Sequence, residues 1–172
     1  MKTLKTLFLL ILVSTGFARA NAGPGTLGTA ITNVTGAYLG IKNALVANNA
    51  TEAENKALDL VKAINAVPEK SMTADQQKTW ALYVNKLLFD SRHISESNPV
   101  AHKREHFASL STNLFDVLKA FKLNTAPLYK QYCPMKKAYW ISETNTIKNP
   151  YYGTGSMETC GVTKDELKPE IR

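Results

Sequence analysis

From Ile31 onward the apolar positions fall at steps of three and four. Ile31, Val34, Tyr38, Ile41 and Leu45 form one stripe, the spacing that lines a single face of a helix. Asn48-Asn49 predicts its end. Thr51-Glu52-Ala53-Glu54 then reads as a capping box, in which a hydroxyl and a carboxylate satisfy the free amides of a helix start. Ala57, Leu58, Val61 and Ile64 follow as the expected stripe of a second helix, which Pro68 closes. Thr73-Ala74-Asp75-Gln76 is a second capping box, opening a third helix with Trp80, Val84, Leu87, Leu88 and Ile94. Asn98-Pro99 predicts the next start, because Asn caps well and Pro is preorganised for the first helical position. Phe107, Leu110, Leu114, Val117, Leu118 and Phe121 give the fourth helix its apolar face, and Pro127 ends it.

Four amphipathic helices with short connections predict an antiparallel four-helix bundle. Beyond Pro127 the helical period is lost. Tyr129, Tyr132, Tyr139, Trp140, Tyr151 and Tyr152 crowd among Pro134, Pro150, Gly153 and Gly155. The fold expected is therefore all-α: a bundle over residues 27–126 with an irregular, aromatic-rich C-terminal cap at about 127–163, holding at most a short strand at Ala138 to Ser142.

Composition places this domain outside the cytoplasm. Residues 1–22 carry Lys2 and Lys5 ahead of the apolar run Leu7 to Val13, then the small-residue patterns Ala18-Arg19-Ala20 and Ala20-Asn21-Ala22. That is the layout of a signal peptide, which leaves residues 23–172 as a single helical domain. The apolar run is shorter than the roughly 20 residues of a spanning helix, so no membrane span is expected. Of the net charge of +7, Lys2, Lys5 and Arg19 contribute three, and the mature chain keeps +4. Its lysines are scattered, with no basic stripe and no aromatic-flanked basic motif, which argues against nucleic acid as a partner.

The candidate chemistry lies in the tail. Cys133-Pro134-Met135 and Met157-Glu158-Thr159-Cys160-Gly161 hold the only two thiols and two of the four methionines. Thiolate and thioether donors are the set preferred by a soft d¹⁰ ion such as Cu(I) over hard cations. Two alternatives stay open at this stage: a Cys133–Cys160 disulfide, as an oxidising compartment favours, or two unpaired structural thiols.

Tyr132-Cys133-Pro134-Met135, Ala138-Tyr139-Trp140-Ile141-Ser142, Ile147-Lys148-Asn149-Pro150-Tyr151-Tyr152-Gly153 and Met157-Glu158-Thr159-Cys160-Gly161 together resemble a helical domain of unknown function of Gram-negative bacteria. Arg104-Glu105-His106-Phe107 with Leu110-Ser111 extends the resemblance onto the last helix. Members of that family occur as free periplasmic proteins and fused to the adaptor subunits of copper and silver efflux pumps. The resemblance implies a periplasmic location, a part in heavy-metal handling and an efflux adaptor as partner. With it, the expected function is binding of Cu(I) or Ag(I) by Cys133, Met135, Met157 and Cys160, for buffering or delivery to efflux. The alternative is a non-enzymatic interaction module pinned by a structural Cys133–Cys160 disulfide.

The histidines carry a separate expectation. At about 100° per residue His106 lies roughly 70° from the centre of the fourth helix's apolar face and His102 roughly 110°. His106 is thus the better candidate for a further metal ligand, and His93 sits late in the third helix. His102-Lys103-Arg104-Glu105-His106 also fits the His-x-x-Glu-His pattern of inverted zinc peptidases. Catalytic zinc needs a third protein ligand, and no nucleophile with a matching base is evident, so no enzyme activity is expected.

Overall fold

The computed structural model describes residues 26–169, and the segment read as a signal peptide lies outside the described residues. Helix α1 (Leu27–Val46) opens where the Thr26 hydroxyl accepts from the Thr29 amide at 3.2 Å. Ile31, Val34, Tyr38, Ile41 and Leu45 are all buried along it, as the stripe predicts. Ala47 caps its end, and just beyond it Asn48 takes a left-handed φ of 54°, a conformation Asn tolerates better than most residues.

Helix α2 (Ala50–Asn65) begins earlier than expected. Its cap is Asn49, whose side chain accepts from the Glu52 amide at 3.0 Å, and Thr51 already lies within the first turn. Asn is at least as good a cap as Thr, and here it follows directly on the left-handed Asn48. The buried face is Ala53, Ala57, Leu60 and Ile64, while Leu58 is 48% exposed. Ala57 and Ile64 of the stripe read from sequence are buried and Val61 is half-buried, so the reading errs in taking Leu58 for the core and leaving out Ala53 and Leu60.

A 3₁₀ turn (Glu69–Ser71) leads into α3 (Ala74–Glu96), which carries the full capping box: Gln76 N–H donates to Thr73 Oγ1 at 3.3 Å, and Thr73 N–H donates to Gln76 Oε1 at 3.0 Å. Helix α4 (Val100–Phe121) starts after Pro99, which itself occupies the cap position with no side-chain cap. The ψ of 123° at Pro99 keeps it extended, so the Asn98 cap expected from sequence does not form. The whole apolar face read from sequence, Phe107 to Phe121, is buried.

The expectation of an all-α fold is wrong. Among the described residues the four helices are joined by a three-stranded antiparallel sheet in the order β2-β1-β3, formed by β1 (Leu128–Cys133), β2 (Ala138–Ser142) and β3 (Val162–Leu167). The cap thus reaches past residue 163 and is regular rather than irregular. β2 falls on the one short strand the sequence suggests. Its partner β1 pairs Cys133 with Ala138 and Tyr129 with Ser142. On its other side β1 pairs Tyr132 with Val162 and Leu128 with Leu167, with a register shift between Lys130 and Gln131. The reason is backbone satisfaction: a non-helical chain packed on a core must pair its N–H and C=O groups, and the sheet does so.

The helices pack in sequence order, α1 on α2, α2 on α3 and α3 on α4. α1 and α4 meet only sparingly, and β2 packs against both. Tyr38 joins all three elements. Its hydroxyl lies 2.6 Å from Ser111 Oγ of α4 and accepts from the Ile141 amide of β2 at 3.0 Å. Arg104 of α4 clamps the cap to the end of α1: Nε donates to the Pro150 carbonyl at 2.8 Å, and Nη2 to Asn48 Oδ1 at 2.6 Å and to the Leu45 carbonyl at 3.1 Å.

Candidate metal centre

The β1–β2 hairpin and the loop before β3 bring the two cysteines together. Cys133 closes β1 and is fully buried; Cys160 precedes β3 and is half-buried. Their sulfurs stand 3.9 Å apart as free thiols. Two thiolates at about 2.3 Å from one ion lie about 3.8 Å apart at a tetrahedral angle and about 4.0 Å at a trigonal one. The observed separation falls between these values.

Both sulfurs are approached by amides of one turn. The Lys136 N–H donates to Cys133 Sγ at 3.4 Å, and the Met135 N–H points to Cys160 Sγ. The turn closes because Lys137 takes a left-handed φ of 53°. Such donors favour the anionic sulfur. Against this, desolvation pushes the Cys160 thiol above its ordinary range, the neighbouring Cys133 sulfur adds to the rise, and the Met135 amide opposes it. Cys160 therefore keeps its proton at neutral pH until a cation displaces it.

Asn149 holds the loop that delivers Cys160. It is fully buried, and its Nδ2 donates to the Cys160 carbonyl at 2.6 Å. Its Oδ1 accepts from the Tyr151 amide at 2.9 Å, and its own amide donates to the Glu158 carbonyl at 2.6 Å. Sequence reasoning gave Asn149 no role; the signal available was an Asn before Pro150 in a turn-rich stretch, a residue type that hydrogen-bonds its own backbone. Gly161 lets the loop close: a Cβ there would lie 2.7 Å from Trp140 Cη2 and 3.1 Å from Ile147 Cγ2.

The methionines flank the pair differently. Met135 is 67% exposed on the hairpin turn, and Met157 is half-buried, its carbonyl accepting from the Cys160 amide at 3.0 Å. His106 faces elsewhere. It lies on α4 against α3, with Nδ1 donating to Asp90 Oδ1 at 2.9 Å. The cap instead meets α4 along a groove lined by Arg104, Ala108, Lys136 and Tyr151. Among the described residues no three His, Cys, Asp or Glu side chains are already set around one point for an ion.

Residues 34–126, more than half of the 172-residue chain, match the model of a family described as a protein of unknown function, DUF3347. The chain belongs to the DUF3347 family. The DUF3347 match spans α1 from Val34 through α4 and stops two residues before β1, so both cysteines lie beyond it. No curated protein and no solved structure matches the chain. A domain of a family of unknown function is thereby established over residues 34–126, and the tail motifs that carry most of the resemblance lie outside the match. Among the described residues no helix is long and apolar enough to cross a membrane.

Proposed function

We propose that this DUF3347 protein binds a soft monovalent ion, Cu(I) or Ag(I), in the periplasm, and buffers it or passes it to an efflux adaptor. The observation that carries the reading is the Cys133–Cys160 pair, with sulfurs 3.9 Å apart and amides of a single hairpin turn directed at both. Two thiolates give a soft ion most of its affinity. Met135, exposed beside them, supplies a thioether that can swing onto the ion and off again, as transfer to a partner requires. Met157 is the second thioether of the set. His106, seated against α3, is left out of this site.

The periplasmic assignment rests on the signal-like residues 1–22, and the link to efflux on the tail resemblance; both belong to the proposal. Anaerobic Cu(I) titration of the reduced protein tests it. One equivalent should be retained against a chelator in the wild type and lost on changing both Cys133 and Cys160 to Ser. Equal retention by the two proteins would transfer the function to the disulfide-pinned interaction module, and an intact mass two hydrogens lighter in the freshly isolated protein would point the same way.

A further inference from the structure

On the far side of α4 from the cysteines, three histidine rings gather between α3 and α4. His102 and His106 stand one turn apart on α4 with ring centroids 4.6 Å apart, and His93 of α3 lies 4.5 Å from His106 and 6.4 Å from His102. All three are half-buried. Three imidazoles bound through nitrogen at about 2.1 Å would place their centroids about 5 Å apart around a tetrahedral ion. The observed separations, 4.5, 4.6 and 6.4 Å, fall on either side of this value, and since no three ligating side chains among the described residues are already set around one point, the rings must rotate to meet one ion.

The second nitrogen of each ring is also engaged. His106 Nδ1 donates to Asp90 Oδ1 at 2.9 Å, His93 Nδ1 to the Phe89 carbonyl at 3.2 Å, and His102 Nδ1 lies 3.4 Å from Glu105 Oε2. Metal-bound histidines characteristically give the non-ligating N–H to a carboxylate or a backbone carbonyl, which fixes the tautomer and leaves the other nitrogen's lone pair free. Here that arrangement leaves Nε2 as the accepting nitrogen of His93 and His106, and the Glu105 carboxylate near Nδ1 of His102 favours the same tautomer there. Asp90 is itself buried, its contact with His106 its hydrogen bond on this face, and Phe89 packs its exposed ring against His93 at 4.2 Å and His106 at 5.7 Å. The His-x-x-Glu-His pattern on α4, which alone supplies two ligands, thus gains a third from the neighbouring helix.

We propose that His93, His102 and His106 form a second metal site, separate from the thiol pair, that takes a borderline divalent ion such as Zn²⁺ through three Nε2 atoms with Asp90 as the outer carboxylate that orients His106. Imidazole donors suit such an ion, and an incomplete coordination shell leaves one position for water or an exchangeable ligand. The inference does not rest on the Cu(I) reading.

Zn²⁺ titration by calorimetry of the full-length Cys133→Ser/Cys160→Ser protein tests it free of thiol binding. One equivalent should bind. His93→Gln and His102→Gln should each weaken it at least tenfold, and Asp90→Asn should weaken it about 10- to 100-fold, the range for loss of an outer-sphere partner. Circular dichroism on each variant separates lost binding from lost folding. In the unsubstituted protein, with its thiols blocked, Zn²⁺ should shift the Nε2 resonances of all three histidines in ¹H–¹⁵N spectra. No Zn²⁺ uptake by the thiol-free protein, binding unchanged by the His→Gln substitutions, or unmoved Nε2 resonances would overturn the site. Loss of Cu(I) binding with Zn²⁺ uptake intact, or the reverse, shows which of the two sites fails.

Discussion

Tyr38→Phe tests how the sheet is joined to the bundle. Tyr38 is fully buried, and burial pushes its phenol far above the ordinary range, so it is a neutral donor at any working pH. Ser111 gives its hydrogen to the Phe107 carbonyl at 2.6 Å, so in the pair at 2.6 Å Tyr38 donates to Ser111 and accepts in turn from the Ile141 amide at 3.0 Å. Phe in its place keeps the stacking on Phe107, whose ring centre lies 5.0 Å away at 14°. What is lost is the acceptor for the Ile141 amide on the outer edge of β2, together with one donor to Ser111. A buried donor left unsatisfied costs about 1–3 kcal/mol, so about 2 kcal/mol is expected. For a domain of this size that lowers Tm by about 4–8 °C. Urea denaturation followed by circular dichroism measures it. Ser111→Ala made in the Tyr38→Phe background should cost less than in the wild type, because the two groups share one network. A loss below about 0.5 kcal/mol for Tyr38→Phe would show that β2 is not held to α1 and α4 through this hydroxyl.

Four further outcomes are expected. Leu114→Ala, at a site 1% exposed, should cost about 2–5 kcal/mol by denaturant midpoint, the range for a buried Leu truncated in a core. Gly161→Ala places a Cβ 2.7 Å from Trp140 Cη2; it should destabilise by about 1–3 kcal/mol as overpacking does, and weaken Cu(I) retention by displacing Cys160. Glu143 accepts from Lys42 at 2.5 Å and from Asn43 at 3.0 Å; desolvation raises its pKa, but these bonds and its own backbone amide together hold it below the usual carboxylate range. A depressed folded pKa gives stability that is full above the unfolded value and lost as pH falls through the folded one, so the stability difference between wild type and Glu143→Gln should shrink toward zero on acidification. Because the Cys160 thiol is raised and must give up its proton to a metal, apparent Cu(I) affinity measured by chelator competition should climb as pH increases, about tenfold per unit for each proton displaced.

The bundle was readable because α1, α3 and α4 advertise large apolar side chains at helical spacing and real caps at Thr73 and near Asn48-Asn49. α2 was read in part: Ala57 and Ile64 are buried as expected, but the small Ala53 and the flanking Leu60 were passed over and the exposed Leu58 taken instead. The sheet was mostly illegible. β3 is Val162-Thr163-Lys164-Asp165-Glu166-Leu167, an edge strand exposed over much of its length, with no alternation to detect. Its partner β1 lies some thirty residues away, and such pairing leaves no local trace. The two sulfur clusters were visible as residue types, but not that Asn149 and a left-handed Lys137 would set their separation. The histidine cluster required both helices of the α3–α4 hairpin. His102, roughly 110° from the centre of the apolar face of α4, is partly exposed, and its ring lies 4.6 Å from His106 and 6.4 Å from His93 of α3.

X-ray absorption at the copper edge on protein loaded anaerobically with one equivalent of Cu(I) addresses the central claim most directly. The account predicts a first shell made of sulfur, at least two scatterers from Cys133 and Cys160 with a thioether completing it. That shell should vanish in the Cys133→Ser/Cys160→Ser variant. A shell of nitrogen or oxygen scatterers in the wild type would contradict the thiol site and place copper elsewhere on the molecule.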